Sequence, residues 1–240
     1  MRARTGVDTG FRAFKWLAFG VPMDVMHVTW KHEEKSLADL PDVQNHWIDL
    51  FRSLSAAYGF DYLASKNTWR QFVTLLRSLS WITAAVVGGA YESAARDLRF
   101  VLEDMCQAMY LDTTCSQLPP QDDMYLIVRR RKVPRGRRLV RAVGLPSEIE
   151  SEVCAIYNQL SDYVHPSYAV LIENIEDPKV VLFYNSQWFS NIMRIYRRVC
   201  DFVLCTMLGA FPNARADFMN KPHDRTSLEQ MSFRLTLRGE

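Results

Sequence analysis

Residues 147–166 read SEIESEVCAIYNQLSDYVHP, and this stretch decides the fold. Ser147 and Glu150 have the Ser-x-x-Glu spacing of a capping box, in which the hydroxyl accepts a first-turn amide and the carboxylate reaches back to the cap amide. Pro146 favours an extended entry and Pro166 disfavours helical geometry at His165, so both ends are marked. Between them Ile149, Val153, Ile156, Tyr157, Leu160 and Val164 recur at the 3.6-residue period of a single buried stripe. Cys154, Asn158, Ser161 and His165 share the other face. That face holds small uncharged groups and one imidazole where a solvated face would carry Lys, Glu or Arg. It reads either as a water-facing surface or as one that packs closely on a helix, a second subunit or a ligand. A His at a helix C-terminus is favoured in its protonated form by the dipole and can exchange protons near neutral pH.

The 240 residues are 48% apolar, enough to build a substantial core, so global disorder is excluded. Ten Gly and ten Pro fall between periodic segments, which favours helices over a many-turned β fold. Five cysteines, Cys106, Cys115, Cys154, Cys200 and Cys205, form no C-x-x-C pair and read as mostly buried thiols of a reducing compartment. No apolar run is long enough to span a bilayer, and charges interrupt any secretory segment near the N-terminus. The expectation is a cytoplasmic protein without membrane contact.

The net charge of +2 hides an asymmetry. Residues 129–141, RRRKVPRGRRLVR, hold eight of the 29 basic residues and no acid, leaving 21 basic against 27 acidic residues elsewhere. Arg129, Arg130, Arg131, Lys132, Arg135, Arg137, Arg138 and Arg141 are candidate phosphate contacts, whose binding would fall steeply with salt. Aromatic interleaving, which would support base stacking, is missing. A solvated surface or an acidic protein partner is the competing reading. Pro134 and Gly136 predict a loop through the middle of the run.

Periodicity predicts further helices. Met23 to Trp30 reads as a strand or a short helix. Asp39 to Phe60 is helical after Pro41, carrying Trp47, Leu50, Phe51 and Leu54. A helix capped by Asn67 or Thr68 runs to about Val87, where Gly88-Gly89 marks a break or a close crossing. Tyr91 to Leu111 carries an apolar stripe and, beside it, Glu92, Arg96, Arg99 and Glu103. Its i, i+4 pairs suit a solvent-facing ladder or a partly buried ridge of paired charges facing Asn158, Ser161 and His165. Tyr168 to Tyr184 allows a small β-hairpin. Ser186 caps a long helix to about Ala210, and residues 213–240 read as a polar tail, with Thr226 to Glu229 opening a last short helix. The organisation expected is an N-terminal segment 1–36, a helical bundle 37–211 of five or more helices, and a tail 212–240.

No Gly-rich phosphate loop or nucleophile elbow occurs. His27 and His32 are five apart and do not stack as a metal-binding i, i+4 pair would, so neither a metal nor a cofactor is expected.

Gly89 to Asp112, GAYESAARDLRFVLEDMCQAMYLD, and Tyr157 to Ser167, YNQLSDYVHPS, together resemble all-helical proteins related to the HEPN superfamily. The resemblance covers about residues 67–211. It implies a HEPN-like helical bundle that dimerises with a second copy and associates with RNA. Many such domains are metal-independent endoribonucleases of defence and toxin systems, using Arg, four to six residues, then His at a helix end. His165 matches the His. No Arg stands four to six residues before it, and Asn158 occupies that place. The resemblance implies His165 as acid/base; the two polar stripes then make Asn158 and Ser161 candidate orienting groups and Arg96 or Arg99, with Glu103, the charged groups the neighbouring helix would supply. The alternative is a non-catalytic helical protein–protein interaction module or assembly subunit, in which the same residues fasten helices together.

Overall fold

A computed structural model of the chain describes residues 23–38, 40–114, 133–164 and 184–220. Among these it contains nine helices and no strand: α1 (Met23–Ala38), α2 (Leu40–Ala57), α3 (Phe60–Ala64), α4 (Asn67–Val87), α5 (Tyr91–Thr114), α6 (Arg137–Ala142), α7 (Ser147–Val164), α8 (Ser186–Ala210) and α9 (Pro212–Asn220). The chain is an all-α helical bundle.

The α4–α5 pair is the frame. Val86, Val87, Ala94 and Leu98 are buried on either side of the turn, and Gly89 takes φ 75° there, a conformation that favours glycine. The two helices therefore run antiparallel, as the hydrogen bond from Gln71 Nε2 to Asp104 Oδ2 at 3.1 Å also shows. At the open end the Asp112 carboxylate binds the start of α4. It accepts from the Asn67 amide at 2.8 Å and the Thr68 amide at 2.9 Å, and also from the Asn67 side-chain amide and the Thr68 hydroxyl. Neither Asn67 nor Thr68 caps the helix itself; the position before it is Lys66, which makes no side-chain cap bond. The free amides of the first turn are met from α5 instead.

α8 packs on both helices of this pair and α7 packs on α5. Val153, Ile156, Tyr157 and Leu160 of α7 are buried as its period requires, as are Phe189, Ile192, Met193, Tyr196, Val199, Val203 and Met207 of α8. The cap of α8 is Asn185, one residue before the expected Ser186, with its side-chain oxygen accepting from the Trp188 amide at 2.9 Å. The start of α7 also differs from a capping box. Ser147 is its first helical residue, the Glu150 amide donates to the Pro146 carbonyl at 2.9 Å, and the Glu150 carboxylate lies 3.8 Å from Arg141 Nε.

Three segments are more helical than the sequence suggests. α1 extends well past Trp30, with a kink at Glu33. The second half of the basic run is α6, not loop. Residues 212–220 are α9, whose Ala214 and Phe218 enter the same core as Met26 and Leu37 of α1. The core thus continues across the boundaries drawn at 36 and 212. The hairpin expected within Tyr168 to Tyr184 falls, apart from Tyr184, outside the described residues, as does Thr226 to Glu229. No helix among the described residues is long and apolar enough to cross a membrane.

Candidate nucleic-acid interface

Where α5 meets α7, the contact is made by Tyr157. Its ring lies 4.7 Å below the Arg99 guanidinium carbon, and its hydroxyl donates to Glu103 Oε1 at 2.8 Å while accepting from Arg99 Nη2. Arg99 and Glu103 are half-buried and Tyr157 is buried. The i, i+4 pair on α5 is therefore bridged by a phenol from the next helix, not left as a solvent ladder. Burial raises the Tyr157 pKa, and the hydrogen bond to Glu103 and that carboxylate's charge raise it further, against the opposing Arg99. The hydroxyl stays protonated at neutral pH, a donor and not a base.

The basic run reaches the same point. Gly136 precedes α6 with φ +58°, and a Cβ built on it would stand 3.1 Å from the Tyr157 hydroxyl oxygen. The left-handed backbone favours glycine there, and the close approach leaves a Cβ little room. Leu139 and Val140 are buried and pin α6 to the bundle, while Arg135, Arg137, Arg138 and Arg141 are exposed. A short helix with two apolar anchors thus presents three guanidiniums to water beside the Arg99–Tyr157–Glu103 cluster, and Arg135, just ahead of Gly136, adds a fourth.

The sequence-predicted site residues divide accordingly. Arg99 and Glu103 meet α7, but through Tyr157 and not through the Asn158–Ser161 face. Arg96 is exposed. The Ser161 hydroxyl donates back to the Tyr157 carbonyl at 2.8 Å, so it is occupied by its own helix. Asn158 is exposed and borders an open groove of about 440 Å³ with Ser151, Cys154 and Arg141. The small-residue face of α7 is therefore an outer surface flanked by an arginine of α6. His165 and Arg129, Arg130, Arg131 and Lys132 lie outside the described residues. Among the described residues no group of three His, Cys, Asp or Glu side chains is placed to hold a metal ion.

Sequence reasoning missed Tyr157 and Gly136. Tyr157 carried the one phenolic tip on an otherwise aliphatic stripe, and a buried phenol needs a partner. That was the available signal, with the Arg99/Glu103 pair as the obvious place for it. Comparison with protein-family models, curated protein sequences and solved structures gives no match to this chain.

Proposed function

We propose that this chain is a HEPN-like, RNA-associated protein that holds an RNA backbone on the exposed arginines of α6 and the adjoining outer face of α7. The observation that carries the reading is the close approach of Gly136 to Tyr157, whose hydroxyl oxygen a Cβ added at Gly136 would meet at 3.1 Å. It brings the chain at Arg135 and Arg137, the neighbours of Gly136, near the junction of α7 with α5, the helix that carries Arg96 and Arg99. Guanidiniums gathered on one short stretch suit phosphates, and the small side chains of Ser151 and Asn158 leave room for a backbone to lie close. The partly exposed Arg99 retains donors that the Tyr157 hydroxyl does not use.

In its finer form the protein acts as a homodimer and as a metal-independent endoribonuclease of a defence or toxin type system. His165 takes the proton of a 2′-hydroxyl, whose oxygen attacks the adjacent phosphorus. The bond to the 5′-oxygen breaks and that oxygen takes a proton, leaving a 2′,3′-cyclic phosphate and a 5′-hydroxyl.

Binding of a fluorescent single-stranded RNA over a salt series tests the reading. Joint replacement of Arg135, Arg137, Arg138 and Arg141 by Gln should lower the log–log salt slope by about 3, taking roughly 0.7 per phosphate contact. An unchanged slope, or no salt-dependent binding by the wild type, would remove the RNA reading. Cleavage is tested separately by comparing His165→Ala with wild type in single turnover; equal rates remove the nuclease. The competing reading, a non-catalytic interaction module, is favoured by the mutual satisfaction of Arg99, Tyr157 and Glu103, which is what a fastening between helices needs. It wins if Tyr157→Phe lowers the melting temperature and no RNA binds.

A further inference from the structure

A cleft of about 430 Å³ opens where the C-terminal end of α5, the turn into α7 and the last turns of α8 come together beside α3. Its volume is that of a small-molecule pocket, for which roughly 300–1,000 Å³ is usual. Met109 of α5, Leu145 and Ile149 at the entry to α7, and Cys205 of α8 line it, and all four are half-buried and packed against the core. Buried Phe202 and Phe211 border it as well. Burial, with the charge of Asp201, raises the Cys205 thiol to about 12, so the thiol is a neutral part of an apolar wall.

Gly209 also lines the cleft. It stands inside α8, where glycine is disfavoured relative to alanine, and it lacks the left-handed φ of Gly89, Gly136 and Gly144. A Cβ built on it meets nothing within 4 Å. Neither the backbone nor packing within the chain accounts for a glycine at this position. Space kept clear of side chains is what a ligand in the cleft needs.

The polar groups of the wall differ in what they have left to offer. The Asp112 carboxylate is spent on the start of α4, the Thr68 hydroxyl included. The Thr113 hydroxyl donates to the Met109 and Tyr110 carbonyls. Lys66 is half-buried, with its ammonium 5.3 Å from the centre of the Tyr62 ring and, among the described residues, no carboxylate within ion-pair distance. An uncommitted cation thus stands on an apolar cleft.

We propose that this cleft binds a small amphipathic carboxylate, its apolar chain lying against Met109, Ile149 and Gly209 and its carboxylate on Lys66. A neutral apolar molecule would leave the half-buried ammonium uncompensated, and a cation would oppose it. The inference goes beyond the RNA reading and shares no residue with it, so either can fail alone.

Fluorescence titration of the full chain with anilinonaphthalene sulfonate, an apolar body with a single anionic group, tests the proposal. The probe should saturate a single site, and octanoate should displace it at lower concentration than octanol does. Gly209→Phe fills the cleft and should weaken binding of both anions by more than about ten-fold through direct clash. Leu145→Trp should do the same from the turn before α7, and it serves if helical circular dichroism shows that Gly209→Phe has lost the fold. Lys66→Gln should weaken octanoate about two- to five-fold, the range of a partly exposed ion pair, and leave octanol unchanged. Absence of saturable binding by the wild type, the result expected if a second copy or another part of the chain fills the cleft, overturns the proposal. So does binding that survives both filling variants, or a Lys66→Gln effect equal for octanoate and octanol.

Discussion

Tyr157→Phe isolates one hydroxyl. The ring, its burial and the stacking of Arg99 at 4.7 Å are kept; the bond to Glu103 at 2.8 Å and the one from Arg99 are lost. A hydrogen bond to a charged group contributes about 1.5–3 kcal/mol. Two are removed here, but Arg99 and Glu103 are half-buried and water can replace part of what is lost. The expected cost is about 1–2.5 kcal/mol. For a chain of this size each kcal/mol lowers the melting temperature by about 2–4 °C, so the loss should be about 2–10 °C. Urea unfolding followed by helical circular dichroism should show a lower midpoint with the same m-value, since the surface exposed on unfolding hardly changes.

Glu103→Gln supplies the control. The Gln carbonyl still accepts from Tyr157 but carries no charge, so its cost should be the smaller, about 0.5–1 kcal/mol, charge-assisted bonds being roughly twice as strong as neutral ones. The double variant should cost less than the sum of the singles by at least about 0.5 kcal/mol, the signature of groups in direct contact. A Tyr157→Phe protein within about 0.5 kcal/mol of wild type would refute the account of Tyr157 as the fastening between α5 and α7. Where RNA binding is present, the variant should keep its salt slope, because no phosphate contact is removed.

Asp112→Ala removes the carboxylate that caps α4 from α5. With Thr68 2% exposed, its orphaned donors should cost about 2 kcal/mol, read as a melting temperature lower by several degrees, and Asp112→Asn should fall between. Gly136→Ala combines a left-handed φ of +58° with a 3.1 Å contact on Tyr157, for about 1–3 kcal/mol of strain, visible in urea unfolding. Burial, aided by the Glu103 charge and opposed by the Gln71 hydrogen bond, raises the Asp104 pKa to about 6. The folded chain therefore holds this proton more tightly than the unfolded one. The resulting stability is full below about pH 4 and is lost as pH rises through about 6. Asp104→Asn should be the more stable protein at pH 7, by about 1–2 kcal/mol after allowance for solvent screening, and the difference should shrink toward pH 4 in a pH series run at dilution.

The long helices were legible because their apolar residues recur often enough to reveal a period. Trp69 to Val87, Tyr91 to Leu111 and Phe189 to Met207 each repeat over four or more turns, and the structure buries most of those stripes, Val73 of the first standing 44% exposed. Short helices lack that statistic: α6 has only Leu139 and Val140, and α9 only Ala214 and Phe218. The cap of α4 was illegible for a different reason. Asp112 acts across 45 residues of chain, while capping rules look a few residues away. The site was half legible. Arg99 and Glu103 show themselves by spacing, but Tyr157 reads as core by its period, and one side chain can serve both when its ring is buried and its hydroxyl lies at the edge. Nothing in a string of arginines says that its one glycine sits under a phenol.

α5 joins these findings, since three of its faces meet three different surroundings. At about 100° per residue, Ala94, Leu98, Leu102 and Met105 turn to the core, Arg99 and Glu103 to α7, and Asp97, Phe100 and Asp104 to the outward groove. Glu103 and Asp104 are adjacent in sequence yet serve different surfaces, and the charge of one reaches the other only as a field that helps raise the Asp104 pKa. Packing should therefore be independent between the two surfaces while electrostatics is not. Tyr157→Phe and Phe100→Ser share no partner, so their costs should add within about 0.5 kcal/mol in urea unfolding at dilution. Glu103→Gln should instead lower the titration midpoint of Asp104, followed by carboxyl NMR, because it removes a neighbouring negative charge without touching the groove. Non-additivity in the first pair, or an unmoved midpoint in the second, would mean that α5 transmits packing between its faces and that the two surfaces are one site.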